Sequence, residues 1–219
     1  MRHTVNSLLG LILCLACFAC QQNANSSTAS TATDEDSAKT DSLAAFRPGK
    51  DAVVVYTPDN QVFGTWEDVG EHYRIFCGGN RFEGVDVSTG YRGIMLNDFS
   101  QIYTMVEKDN GFKVFETTSD RLLWDVTLED TRVTFINGFL ETPAIIDFSN
   151  VQQPKAIYND QALGMLIYKD GIHLMSTPVG QVVIRDQPYS KAYAILALGI
   201  VIAPPYQMIL LKELIDRGV

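Results

Sequence analysis

Between Asp51 and Asp186 apolar and polar positions alternate in short runs, and no window keeps the 3.6-residue period of a helix. The first runs are Ala52–Thr57, Gln61–Trp66, His72–Cys77, Phe82–Val87, Tyr91–Leu96, Gln101–Glu107 and Phe112–Thr117. The second half continues with Arg121–Thr127, Arg132–Ile136, Ala144–Phe148, Lys155–Tyr158, Gly164–Lys169, Ile172–Ser176 and Gln181–Arg185. Turn residues separate them: Pro58-Asp59-Asn60, Gly78-Gly79-Asn80, Asp170-Gly171 and, most telling, Asp109-Asn110-Gly111, since Asn-Gly accepts the positive φ of a tight hairpin. In the run from Arg121, strict alternation places Leu122, Trp124 and Val126 on one face and Leu123 on the other. Tyr56, Asp59, Gln61 and Gly64 are echoed by Tyr158, Asp160, Gln161 and Gly164; chance and duplication account for this equally well.

After the last strand pattern the chain changes character: Ala192 to Leu211, bounded by Lys191 and Lys212, carry no charge. About twenty helical residues suffice to cross a bilayer. Yet Pro204 and Pro205 remove two consecutive amide donors, Gln207 follows, and a lone span has no neighbour to satisfy the freed carbonyls. Burial within protein is expected instead: a core helix over 192–203, its turns running from Tyr193 to Ala203, then a break at the prolines. A short amphipathic helix over 206–216 follows, carrying Lys212, Glu213, Asp216 and Arg217. Two flat sheets would leave a uniformly apolar helix half exposed, whereas a closed antiparallel barrel has no edges and hides it in its lumen. The expected fold is mainly β: an antiparallel barrel-like domain of about twelve strands with a buried hydrophobic C-terminal helix.

The amino terminus gives the chain an address. Arg2 precedes an apolar stretch, Leu8 to Ala19, and no acidic residue appears before Asp34, the pattern of a signal peptide over 1–19. The stretch ends at Cys20 after Phe18-Ala19, which resembles the lipobox of bacterial lipoproteins, although Cys17 stands where the usual leucine would. That resemblance implies lipidation, a palmitate-type acyl anchor, at Cys20, with Cys17 the alternative; an ordinary secretion signal is the plainer one. Several acyl chains give stable anchoring. By the same analogy Gln21 implies the periplasmic side of the outer membrane over the inner membrane. Residues 20–45 contain Asn, Ser, Thr and Ala around Asp34-Glu35-Asp36, too little apolar surface to fold, and read as a disordered tether. Residues 46–219 are the size of one β-rich domain.

Charge and cysteine narrow the partners. Asp and Glu outnumber Lys and Arg by 26 to 17, the basic residues are scattered singly, and nucleic acid is not an expected partner. Cys77 is the one cysteine beyond the signal region, so no disulfide can staple the domain; alternation with Tyr73 and Ile75 places it inside, and reactivity is the lesser alternative. Neither a nucleophile motif, a phosphate loop nor a metal-ligand spacing is present. His72 and Cys77 lie five apart in one strand and face opposite sides, and His72 and His173 are distant in sequence. Gly78, Gly79, Asn80 and Arg81 could converge amides on an anion, or simply connect two strands. Glu67-Asp68 and Glu129-Asp130 lack the oxygen spacing of a calcium loop. No cofactor and no metal are expected.

The strand series leading into a buried terminal helix resembles the tubby-like family, particularly its phospholipid scramblase and LURP-one-related branch. Local support lies in Phe112-Lys113-Val114-Phe115 leading to Leu122-Leu123-Trp124, and in Val182-Val183-Ile184-Arg185 entering Tyr193–Ala203. The family places charge just after its buried helix, where this chain has Pro204-Pro205. The resemblance implies a twelve-strand barrel around a helix and recognition of membrane lipid. The residues themselves favour a non-enzymatic, membrane-anchored envelope lipoprotein that binds a protein partner in an accessory, inhibitor or immunity role. A lipid-binding module of the scramblase kind and an enzyme with a dispersed site are the alternatives.

Overall fold

The structure, a computed structural model, describes residues 49–97 and 100–219. The chain divides into two units, 1–42 and 43–219, and all that is described belongs to the second. The signal segment, Cys17, Cys20 and the tether as far as residue 45 lie outside the described residues.

The described residues form fourteen strands in an unbroken antiparallel meander: β1 Val53–Tyr56, β2 Val62–Val69, β3 His72–Cys77, β4 Asn80–Ser88, β5 Tyr91–Leu96, β6 Ser100–Lys108, β7 Gly111–Glu116, β8 Arg121–Glu129, β9 Arg132–Ile136, β10 Ala144–Asp147, β11 Lys155–Tyr158, β12 Gln161–Lys169, β13 Ile172–Thr177 and β14 Gly180–Arg185. Each strand pairs with the next, and Val55↔Ile184 and Tyr56↔Val183 join β1 to β14, closing the barrel. Alternation is the cause: inward positions such as Tyr73, Ile75 and Cys77 of β3 are buried while their neighbours are partly wet. Asn60, Asn97, Asp120 and Asp170 take positive φ in the connecting turns, where their short polar side chains tolerate it.

The lumen is filled by the chain's own tail in two passes. A 3-10 segment, Lys191–Leu198, runs in from the end of β14; residues 199–203 reverse it; helix α1, Pro204–Asp216, returns. Two expectations are corrected here. The first pass ends at Leu198 and is 3-10, not an α-helix to Ala203. In this tighter coil side chains at i and i+3 eclipse, and Tyr193 over Leu196, Ala194 over Ala197 and Ile195 over Leu198 make slim columns against the wall. The prolines do interrupt the run, but they do so by occupying the first positions of α1, where an amide donor is not needed. And α1 is no surface helix, for Gln207 to Leu214 are all buried, Lys212 and Glu213 among them.

The two passes also account for fourteen strands where about twelve were expected. Adjacent helix axes sit ~8–10 Å apart. A ring of fourteen strands at ~4.8 Å spacing and ~40° tilt measures ~28 Å between opposite backbones, against ~24 Å for twelve. Gln207 ties the passes together, its Nε2 donating to the carbonyls of Ile195 (2.9 Å) and Leu196 (3.3 Å).

Small residues let the wall approach the plug. A Cβ on Gly64 would lie 2.9 Å from Met208 of α1, and one on Gly164 would lie 2.7 Å from Ala197. These glycines belong to the two echoed segments, and each hairpin carries a bulge just after its turn, with Phe63 of β2 and Leu163 of β12 as the extra residues. The shared residues thus do shared work, each hairpin lying flat against one pass. In β8 the expected face pattern fails at two residues, Leu122 and Leu123. A bulge in β8, where Leu123 is the extra residue opposite the Val114–Phe115 step of β7, turns Leu123 inward beside Trp124 and Val126 and leaves Leu122 exposed.

Candidate functional site

Connectivity gives the barrel two unlike mouths. At the first lie the β2–β3, β4–β5, β6–β7, β8–β9, β10–β11 and β12–β13 turns, the start of β1, and the carboxyl end of α1. At the second lie the β1–β2, β3–β4, β5–β6, β7–β8, β9–β10, β11–β12 and β13–β14 turns, together with the 199–203 reversal. The reversal is placed by its flanks, because Gly164 and Gly64, early in strands that start at this mouth, touch Ala197 and Met208.

The first mouth holds a network of charge around the end of α1. Glu213 is fully buried, and its Oε1 accepts from the Tyr73 hydroxyl at 2.6 Å and from Arg92 Nη1 at 2.8 Å, while Arg217 donates to Oε2. Arg92 Nε also donates to Asp86 at 2.8 Å, Arg217 reaches Glu107, and its guanidinium lies 4.3 Å over the Phe112 ring. Lys212, equally out of solvent, pairs with Asp216 and, at 2.9 Å, with Asp68. Burial and the Glu213 carboxylate together push the Tyr73 phenol well above its ordinary range, so it donates at every ordinary pH. Burial works against the Arg92 cation, but Glu213 and Asp86 outweigh it and hold the guanidinium charged. Beside the network, the β4–β5 hairpin and β6 enclose a recess of about 360 Å³ bordered by Asp86, Tyr91, Arg92, Met105 and Glu107.

His173 sits at the same mouth beneath a layer of tyrosines. It is fully buried, with ring centroids 4.6 Å from Tyr168, 4.5 Å from Tyr193 and 6.1 Å from Tyr189, and neither ring nitrogen completes a hydrogen bond. Burial pushes the imidazole down to about 4, against a smaller opposing pull from the Ile184 backbone across the ladder. Tyr189 closes the layer by donating to the Val151 carbonyl, and Ser190 Oγ donates to the Val219 carbonyl at 2.6 Å.

The second mouth is apolar and uneven. Val62, Leu122, Ile136, Phe139, Val179 and Ile200 are exposed there, Phe139 by 74% and Val179 by 89%. The turns that carry them touch one another: Arg121 lies over the Phe139 ring at 5.6 Å, Thr142 bonds Asn159, and a Cβ on Gly180 would meet Pro58 at 3.1 Å.

The residues singled out in the sequence are distributed over this frame. Gly78 and Gly79 both take left-handed φ in a tight turn at the second mouth, where Arg81 donates through its amide to Asn97 Oδ1 (2.7 Å) and through Nη2 to the Asn97 carbonyl (3.0 Å). Arg81 also lies 3.7 Å from Glu83. Cys77 is buried, its thiol pushed up to about 11 by burial and directed at the Phe63 carbonyl. His72 faces outward on the same strand, away from Cys77. Glu67 lies 3.8 Å from Arg74, Asp68 belongs to the charge network, and Glu129 pairs with Arg132. Among the described residues no group of three His, Cys, Asp or Glu side chains could hold a metal ion, and no helix is long and apolar enough to cross a membrane. The charge network was missed in the sequence, although Lys212-Glu213 directly after an apolar run was a signal for it. No protein-family model matches the chain, and it matches neither a curated protein nor a solved structure.

Proposed function

We propose that this protein is a non-enzymatic lipoprotein of the bacterial envelope, anchored through Cys20, that works by binding a protein partner in an accessory, inhibitory or immunity role. The observation that supports this reading is the filled lumen. Ala192 to Leu198 and Gln207 to Leu214 are buried against the inner faces of the strands, so the space in which a barrel holds a small ligand is taken by the chain itself. A barrel built in this way meets other molecules with its outside. The charge network is consistent with a structural role, since every charged group in it has a partner within the fold. The address rests on the signal pattern ending in Cys20 and on Gln21 after it.

Two measurements test the proposal. Labelled palmitate is expected to enter the wild-type protein and not the Cys20→Ala variant; label retained in that variant and lost in Cys17→Ala moves the anchor to Cys17. Mild detergent extraction of the lipidated protein is expected to bring down a stoichiometric protein partner. Recovery of phospholipid alone, in fixed ratio, would instead support the lipid-binding reading implied by the tubby-like resemblance.

A further inference from the structure

The six exposed apolar side chains at the second mouth sit on three strand ends, two turns and the plug reversal, and the connectivity of the meander gathers them on one face. Five others, Val87, Tyr91, Val151, Ile167 and Tyr168, lie toward the first mouth, so it is charge that sets the six apart. The charges among them are one-sided in what they leave free. Arg121 is engaged by Glu116 and stacked on Phe139, Arg81 is held by Asn97 and Glu83, and Arg185 reaches over Tyr56 to Asn60. The exposed carboxylates Asp120, Glu141 and Asp160 stand on the β7–β8, β9–β10 and β11–β12 turns around Phe139, and among the described residues they form no ion pair. A mouth ~28 Å across presents a disc of roughly 600 Å², near the ~800 Å² per partner of a standard interface. The described chain begins at Gly49, at the opposite mouth.

On the proposed function above, which this inference deepens, we propose that the second mouth is the docking surface and that its occupant is a protein segment presenting an apolar knob bordered by Lys or Arg. Phe139, Ile136 and Ile200 receive the apolar part, and Asp120, Glu141 and Asp160 set its orientation. Carboxylates on a rim govern encounter rate and register, while desolvated aromatic contacts set the lifetime of the complex. An anionic leaflet is the wrong occupant for a face whose free charges are negative.

Photocrosslinking in intact cells tests this with the full-length lipidated chain, carrying a benzophenone amino acid at position 139 or, as a control at the other mouth, at position 87. A protein adduct is expected at 139 and not at 87. Charge reversal, Asp120→Lys with Glu141→Lys and Asp160→Lys, is expected to lower its yield on the order of tenfold. The neutral set Asp120→Asn, Glu141→Gln, Asp160→Asn should fall between, with unchanged thermal unfolding showing that the barrel is intact. A protein adduct at 139 that survives charge reversal overturns the basic partner and leaves the proposed function standing. An adduct only at 87 overturns the choice of mouth alone. A lipid adduct, a second copy of this chain, or no adduct at either position overturns both.

Discussion

His173 makes the barrel's stability depend on pH in a way that one substitution should remove. In the unfolded chain its imidazole titrates near 6.5, and in the fold burial holds it near 4. Between these values the unfolded state binds the extra proton, so stability is fully present above about pH 6.5 and is lost as pH falls toward 4. A shift from 6.5 to about 4 at 1.36 kcal/mol per unit comes to about 3 kcal/mol. An opposing effect deserves weight, because three tyrosine rings within 6.1 Å attract an imidazolium by ~0.5–2 kcal/mol. Desolvation of the charge is the larger quantity, since the ring is fully buried and neither nitrogen has a partner. Urea unfolding of the chain from Gln21 onward, followed by tryptophan fluorescence at pH 7, 6, 5 and 4.5, measures the dependence. His173→Phe keeps the ring stack and removes both unpaired nitrogens, so at pH 7 it should gain ~1–3 kcal/mol. It should also lose the part of the acid sensitivity that lies between pH 6.5 and 4. Parallel stability curves for the two proteins over that window, or an imidazole titrating at or above 6.5 in the folded state by NMR, would refute the reasoning.

Three further outcomes follow from the packing. Glu213→Ala leaves Arg92 and Arg217 facing an empty buried acceptor and should cost ~3–5 kcal/mol by chemical denaturation; a loss within 0.5 kcal/mol would mean that water reaches the site. The Cys77 thiol, buried and pushed up to about 11, should react with Ellman's reagent only at the rate of barrel opening, and fast labelling in native buffer would contradict its placement. Gly84→Val places a branched side chain where even a Cβ would lie 2.2 Å from the Tyr73 ring, so Tyr73 must leave Glu213. A cost of ~2 kcal/mol or more is expected, and a neutral result by thermal unfolding would show that the ring has room to turn.

The strands were legible because alternation is a local property of the sequence, and turn residues such as Asn110-Gly111 and Asp170-Gly171 mark where it stops. Their number was legible too, since the pattern contains fourteen runs and the barrel has one strand for each. The bulge at Leu123 was hidden, because it arises from the register between two strands and not from either alone. The plug was half legible. Its apolarity demanded burial, yet Lys212 and Glu213 look like solvent-facing residues until Arg92, Arg217 and Asp68 are brought to them by chain closure. The apolar mouth was not legible at all. Phe139, Val179 and Ile200 are isolated apolar residues in separate loops, and only the connectivity of the meander places them on one face.

The order in which the lumen is built has a consequence for biosynthesis. Every wall strand leaves the ribosome before the first plug residue, so until Lys191–Asp216 emerges the nascent chain has a shell and nothing to condense around. Closure between β1 and β14 waits as well, since it joins the two ends of the sheet. The polypeptide should therefore stay unfolded through nearly all of its synthesis and collapse only once it is whole. A stop codon placed just after Arg185 should yield not a weakened barrel but a substrate for proteases.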